Sequence, residues 1–366
     1  MNIGIDARMS GTKHGGIGRY IETLIFELPK QSPNDTFTII CKPDTTVPNY
    51  ENVTILRTSI HWYTVAEQIL LPFLIHKLPI DIMHFPHWNV PLCYRKPYLV
   101  TIHDLILQHI PAYNATTHHK WIYAIKHALY NLVLKNAAKT AKKIITVSNF
   151  SKQDIGTILH VAKEKIEVTP LFNSLPKNTQ RNPVSYPYFL SVGVSYPHKN
   201  IDRLIRIFGR IHDSIPHHLV IIGPQGPFSR NLERLIALQN KKAREKIHVH
   251  YHVTNELLAQ YYPHTDAFLF PSSYEGFGIP LLEAQAAGAL VIANQVTAIP
   301  EVAGDGALYT DDSEKSWEKI IYTVAHNKKI YESIIKKGEE NEKKYTMHRL
   351  ISSTLQIYHQ ITKKGV

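Results

Sequence analysis

The sequence predicts an α/β protein built as two parallel-sheet domains. Three observations carry that expectation. Short apolar runs alternate with helix-length segments along the chain, the pattern of βαβ units. Several runs are apolar at consecutive positions (LVIIG at 219–223, AFLFP at 267–271, LVIA at 290–293), as strands covered on both faces require. The 366 residues, 44% hydrophobic and 19% charged, supply enough apolar surface for two cores and exclude wholesale disorder.

The strand-like runs of the first half are 2–6, 36–41, 52–57, 80–85, 98–102, 143–147 and 166–169. Those of the second half are 188–192, 218–222, 247–250, 266–270 and 289–293. Between them, residues 171–187 carry Pro176, Pro183 and Pro187 among polar residues and have no usable periodicity. The expected division is therefore a first domain over 1–172, a linker over 173–187 and a second domain over 188–342. After Ser313 the chain reads as helices only, with a basic segment at 347–364.

Composition narrows the function. Lys and Arg number 41 against 30 Asp and Glu, a net charge of +11 and a pI near 9.3, which suits an anionic partner: nucleic acid, acidic lipid or a phosphorylated small molecule. The two cysteines, Cys41 and Cys93, exclude a disulfide scaffold and a four-cysteine zinc site. The start, MNIGIDARMS, lacks a basic n-region and an apolar h-region, and the longest apolar stretch, 69–75, is broken by Pro72. A cytoplasmic protein with reduced thiols is expected, lying on a membrane if it meets one.

Four segments carry the residue types of a binding or catalytic site. In IDARMSGTKHGGIGRY, Gly15, Gly16 and Gly18 follow the first strand and open a helix expected over 18–28. Such a turn lets backbone approach a ligand, but it is not G-x-G-x-x-G and equally serves as a plain flexible turn. In YLVTIHDLI, His103 and Asp104 sit at the carboxyl end of a strand, the ligand-binding edge of open α/β sheets. There His103 suits a substrate hydroxyl and Asp104 an orienting role, or the pair merely caps a loop. In SVGVSYPHKN, Lys199 is expected near the start of a helix over 198–211, facing a diphosphate or solvent. In FLFPSSYEGFGIPLLEAQAAGALVIA, Glu275 and Glu283 flank a helix N-terminus that exposes the amides of Gly276, Phe277 and Gly278, with Pro280 in the first turn. Carboxylates accept from vicinal hydroxyls and amides suit phosphate oxygens, a combination fitted to a sugar joined to a nucleoside diphosphate.

The string SSYEGFGIPLLEAQAAGALVIA followed by AIPEVAGDGALY resembles retaining glycosyltransferases of family 4, which have the GT-B fold. IDAR with GGIGRY, VTIHD, IITVSNFS and SVG…PHKN extend the resemblance over nearly the whole chain, most closely to bacterial surface-polysaccharide mannosyltransferases. The resemblance implies two Rossmann-like domains facing across a cleft, acceptor in the first and donor in the second, with 343–366 a helix packing back on the first. It implies that Glu275 contacts donor-sugar hydroxyls near the reacting centre and Glu283 the ribose. Gly276, Phe277 and Gly278 would contact sugar or diphosphate, His103 would lie by the donor sugar, Lys199 would hold the diphosphate, and Gly15 and Gly16 would close over the ligands. In one departure, Val194 stands where many members carry an arginine that joins the lysine on the diphosphate; His198 and Arg203 are the candidate substitutes.

No D-x-D pair suited to a metal–diphosphate complex appears, so a metal-free mechanism without a cofactor is expected, with GDP-mannose as first choice of donor. Between Asp104 and Asp154 there is no acidic residue, and Lys120, Lys126, Lys135, Lys139, Lys142 and Lys143 interleave with Trp121, Tyr123, Ile125 and Leu129. Residues 117–143 accordingly fit either an anionic membrane surface or a core-packed helix with solvated lysines. The competing readings are a nucleotide-sugar epimerase or phosphorylase, a non-catalytic paralogue, and a nucleic-acid-binding protein. For the last, the charges are too dispersed, and no nucleic acid is expected as partner.

Overall fold

The computed structural model describes residues 1–11, 15–110, 120–176, 181–193, 196–226 and 228–363. Outside them lie Val194, residues 177–180 of the expected linker, 364–366, and 117–119 together with the side chains of Lys120, Trp121, Ile122 and Tyr123 of the basic aromatic segment.

In chain order the regular elements begin with β1 (Asn2–Asp6), α1 (Gly15–Gln31), β2 (Thr36–Cys41), β3 (Val53–Arg57), α2 (Val65–His76), β4 (Ile82–Phe85) and β5 (Tyr98–Thr101). Then come α3 (Ile106–His109), α4 (Lys120–Thr140), β6 (Lys143–Thr146), α5 (Asn149–Leu159) and β7 (Ile166–Val168). The second half runs β8 (Tyr188–Val192), α6 (Ile201–Ile211), β9 (His218–Gly223), α7 (Ser229–Ala237), α8 (Lys241–Glu245), β10 (Ile247–Tyr251), α9 (Asn255–Tyr261) and β11 (Ala267–Phe270). It closes with α10 (Ile279–Ala286), β12 (Val291–Asn294), α11 (Ile299–Ala303), β13 (Ala307–Thr310), α12 (Glu314–Asn327), α13 (Glu332–Glu342) and α14 (Met347–Lys363).

The chain divides into two compact units: Met1–Leu105 with Thr116–Leu171 and Met347–Val366, and Ile106–Ala115 with Phe172–Thr346. The first holds a parallel seven-stranded sheet in the order β3-β2-β1-β4-β5-β6-β7. Ile3 of β1 pairs with Phe37 of β2 on one side and Ile82 of β4 on the other. Right-handed crossovers place α2, α4 and α5 on one face, because β3→β4, β5→β6 and β6→β7 all step the same way, and α1 on the opposite face. Leu71 and Ile75 of α2 share one core with Phe85, Tyr98, Ile155 and with Leu134 and Ala137 of α4. On the other face α1 packs beside α14, so the helix expected to return to the first domain does so.

The second unit holds a parallel six-stranded sheet in the order β10-β9-β8-β11-β12-β13. Its core joins Phe189, Phe208, Leu219, Leu269 and Ile292 to the fully buried Trp317, whose indole N–H donates to Asn294 Oδ1 at 2.9 Å. In both sheets the order reverses between the first strand and its later neighbour, at β1/β4 and at β8/β11. In open α/β sheets such a reversal leaves a crevice beyond the carboxyl ends of the strands, the usual place for a ligand.

Three local expectations are corrected. The sequence reading missed β13, four residues trailing a glycine pair; β12 supplies its partner, with Ile292 opposite Leu308. The helix expected over 198–211 is interrupted: Pro197–Lys199 form one 3₁₀ turn and Asn200 adopts a left-handed conformation (φ 51°) before α6 begins at Ile201. Helix α1 opens at Gly15, not Gly18, so Gly15 and Gly16 belong to its first turn.

Candidate functional site

Each unit gathers candidate residues at the carboxyl edge of its sheet. In the second unit, β11 ends at Phe270 and residues 271–278 turn into α10. Asn200 Nδ2 and Asn294 Nδ2 both donate to the Pro271 carbonyl, at 2.9 and 2.7 Å. The Ser273 amide donates to the His198 carbonyl at 2.8 Å. The Glu275 amide donates to Thr297 Oγ1 at 3.1 Å, and its carbonyl accepts from the Ala298 amide at 3.4 Å. The turn is thus tied to the 3₁₀ turn on one side and to residues 297–298 on the other.

That anchoring sets Lys199 Nζ 2.6 Å from Glu275 Oε1, with both side chains largely buried and the ammonium 5.4 Å from the centre of the Phe270 ring. Gly278 caps α10 with φ +100°, and a Cβ there would lie 2.9 Å from Leu281 Cδ1, so the turn requires glycine. Among the described residues neither the Phe277 nor the Gly278 amide donates a hydrogen bond within the protein. These are the N–H groups a helix start leaves for an anion. Phe277 itself is buried edge-on against Tyr345, at 5.7 Å between ring centres. The His198 imidazole is pushed down to about 4, first by burial and then by the Lys199 cation, while Glu275 acts in the opposite sense; the ring is neutral near pH 7.

Glu283 lies on the buried side of α10, where Oε2 accepts from the Tyr262 hydroxyl at 2.7 Å. Arg203, the other candidate substitute for a second phosphate cation, is engaged with Asp312 at 2.5 Å.

In the first unit, His103 follows β5. Its Nε2–H donates to the Pro86 carbonyl at 3.1 Å, which leaves Nδ1 as an acceptor, and the ring stands edge-on to Tyr20 of α1 at 5.0 Å. Burial holds it down to about 4, so it too is neutral. Asp104 follows it, half-buried, and Gly15 and Gly16 are exposed at the start of α1, Gly15 with φ +60°.

Beneath His103 runs a buried chain that the sequence reading missed. The Tyr358 hydroxyl of α14 meets His84 Nδ1 at 2.6 Å, His84 Nε2 meets Thr101 Oγ1 at 2.8 Å, and Thr101 Oγ1 meets the Tyr20 hydroxyl at 3.0 Å. Beside it Arg8, after β1, forks onto Asp6 (2.8 and 2.6 Å) and reaches Glu67 of α2 at 2.6 Å. Glu67 Oε2 also accepts from Asn89 Nδ2 at 2.5 Å and from the Tyr63 amide at 2.8 Å. A cavity of about 20 Å³, one water-sized space, is lined by Arg8, Trp62, Glu67, His87 and Asn89. One local signal was available: Thr64 and Glu67 form T-x-x-E, and Thr64 Oγ1 indeed caps α2 by accepting from the Glu67 amide at 3.2 Å. Nothing local announces the partners of Glu67.

Among the described residues no group of three or more His, Cys, Asp or Glu is placed to hold a metal ion. No helix there is long and apolar enough to cross a membrane.

Two family models match the chain: Glycosyltransferase Family 4 over residues 14–172 and Glycosyl transferases group 1 over 176–341. The O-antigen chain mannosyltransferase RfbU of Salmonella typhimurium is 29% identical over 284 residues, 76% of this chain and 75% of that protein. Among solved structures, sucrose-phosphate synthase from Thermosynechococcus elongatus aligns with a TM-score of 0.79 at 17% identity, covering 100% of both chains. Anabaena HepE in complex with UDP-glucose aligns at 0.72 and 14% identity, covering 97% of this chain and 99% of that one. The two-sheet GT-B fold expected from the sequence is borne out.

Proposed function

The chain belongs to the glycosyltransferases, a Family 4 domain followed by a group 1 domain, and we propose that it moves mannose from GDP-mannose to a saccharide or lipid-linked oligosaccharide in surface-polysaccharide assembly. The observation that carries this reading is the Lys199–Glu275 pair at the mouth of α10, 2.6 Å apart, beside the Phe277 and Gly278 amides, which donate to nothing among the described residues. A cation, a carboxylate and two N–H groups at one point match the diphosphate and hydroxyls of a nucleotide sugar.

On donor binding Lys199 exchanges its carboxylate partner for a diphosphate oxygen, and Glu275 turns to accept from sugar hydroxyls. As the bond from the sugar C1 to the β-phosphate oxygen breaks, its electron pair stays on the diphosphate. Lys199 and the Phe277 and Gly278 amides face that growing charge, preorganised and shielded from water. The acceptor hydroxyl bonds to C1 on the face the diphosphate leaves and passes its proton to the departing phosphate oxygen. Configuration is retained with no covalent enzyme intermediate and no metal. Neutral His103 offers Nδ1 as acceptor to a sugar hydroxyl, Asp104 orients the acceptor, and Glu283, steadied by Tyr262, receives the ribose hydroxyls. His198, uncharged, serves the diphosphate only as a hydrogen-bond partner. The reaction takes place on the cytoplasmic side, with residues 117–143 resting on the anionic leaflet that carries the acceptor lipid.

The test is a thermal-shift panel of GDP, UDP, ADP, GDP-mannose and UDP-glucose. A ligand at about 100 times its Kd stabilises the native state by about 2.7 kcal/mol, a readily measured rise in melting temperature. GDP-mannose is expected to give the largest rise. A larger rise with UDP-glucose, the molecule in the HepE complex, would reassign the donor. Lys199→Ala and Glu275→Ala are each expected to lower turnover by about 100-fold or more. Turnover within a few-fold of wild type in either variant overturns the site.

A further inference from the structure

Helix α2 carries an exposed apolar face. Glu67, Leu71 and Ile75 face the sheet. On the opposite face Val65 is 75% exposed and Phe73 68%, with Ile69 and Leu70 between them more than half exposed. Four large apolar side chains on two turns of one helix form the kind of patch soluble proteins seldom leave bare.

The neighbouring helix extends the patch. α4 buries Leu134, Ala137 and Ala138 against the sheet and exposes Ile125, Leu129 and Leu132 on its outer side. Because α2 and α4 lie on the same face and share one core, their outer sides look the same way. A run of rings links the two: Tyr63, just before α2, is stacked on Trp88 at 5.4 Å, and Trp88 stands edge-on to Tyr130, midway along α4, at 4.6 Å.

Charge selects the occupant. α4 has no acidic residue, and the single carboxylate of α2, Glu67, is buried against Arg8. Exposed around the apolar side chains are Lys77 at the end of α2 and Lys126, Lys135 and Lys139 along α4. An apolar strip with exposed lysines along its α4 side is the arrangement of a helix lying at the boundary between headgroups and acyl chains of an anionic leaflet. A second copy of the chain would set these lysines against one another.

We propose that α2 is a membrane-insertion element, Val65, Ile69, Leu70 and Phe73 entering the interface of an anionic bilayer while the α4 lysines hold the headgroups. This rests on the reading that residues 117–143 meet lipid and adds α2 as a second apolar element beside the exposed apolar residues of α4. The side chains concerned are exposed, so the double substitution Ile69→Ser with Phe73→Ser leaves the core untouched.

The full chain is sedimented with POPC vesicles and with POPC vesicles containing POPG, at low and high salt, alongside that variant and one carrying Lys126→Ser, Lys135→Ser and Lys139→Ser. Wild type is expected to bind only the POPG vesicles. The α2 variant is expected to lose about tenfold or more in partitioning, with an unchanged melting temperature. Equal binding by wild type and the α2 variant, with loss confined to the lysine variant, refutes insertion and leaves the electrostatic contact standing. No binding by wild type at any composition refutes both. A wild-type dimer in solution that becomes monomeric in the α2 variant, without vesicle binding, assigns the patch to self-association and overturns the proposal.

Discussion

Replacing Tyr358 by Phe removes one oxygen from the buried chain of the first unit. Tyr358, His84 and Thr101 are all 0% exposed, and burial raises the phenol and holds His84 down to about 3, so both stay neutral. Without the hydroxyl, His84 Nδ1 loses its 2.6 Å partner where water cannot enter. A buried polar group left unpaired costs about 1–3 kcal/mol, whereas an exchanged hydrogen bond costs about 1. At about 2–4 °C per kcal/mol for a unit of this size, a loss near the middle of that range lowers the transition of the first unit by about 4–8 °C. Scanning calorimetry at pH 7 measures it. The same substitution made on top of His84→Phe is expected to cost at least about 1 kcal/mol less, because no orphan remains. If Tyr358→Phe alone costs under about 0.5 kcal/mol, or if the two substitutions are additive, the chain is not the closed network the distances describe.

Two further outcomes are expected. Burial is the first cause holding His84 and His87 down to about 3 and His103 down to about 4, with the His103 charge adding to the effect on the other two. Unfolded, each ring titrates near 6.5, so below that pH the unfolded chain takes up protons the folded chain refuses. Stability is complete above about 6.5 and is lost as pH falls toward about 4, by about 1.4 kcal/mol per pH unit for each such ring. Urea midpoints that agree at pH 7 and pH 5 would contradict this. In the second unit, a Cβ at Gly306 would meet Gly338 Cα at 2.3 Å, so Gly306→Ala forces the backbone of α13 away and is expected to cost about 1–3 kcal/mol. An unshifted urea midpoint counts against that packing.

The strands were legible because they are covered on both sides, and consecutive apolar residues such as LVIIG and AFLFP leave no other reading. The turn into α10 was legible because Gly278 and Pro280 punctuate it locally. The start of α6 was not, since a left-handed Asn200 reads in sequence like any helix-entry asparagine, and its side chain is committed to the distant Pro271 carbonyl. β13 depends on pairing with β12 rather than on its own four residues. The candidate cluster shows the same limit. Lys199 and Glu275 each stood out in their own segment, but their 2.6 Å contact joins residues 76 apart. The Arg8–Glu67 and Tyr358–His84 contacts, 59 and 274 residues apart, leave no periodic or compositional trace.

Tyr358 sits on α14, which is translated after the whole second unit yet packs with the first. While the nascent chain is still emerging, the sheet made earliest therefore has a gap where Leu350 and Tyr358 will sit, with His84 open to water beneath it. Ribosome-bound intermediates of this enzyme should hold their first unit unfinished until residues 347–363 clear the exit tunnel. A stop codon placed after Thr346 would leave the second unit whole and its companion a client for chaperones.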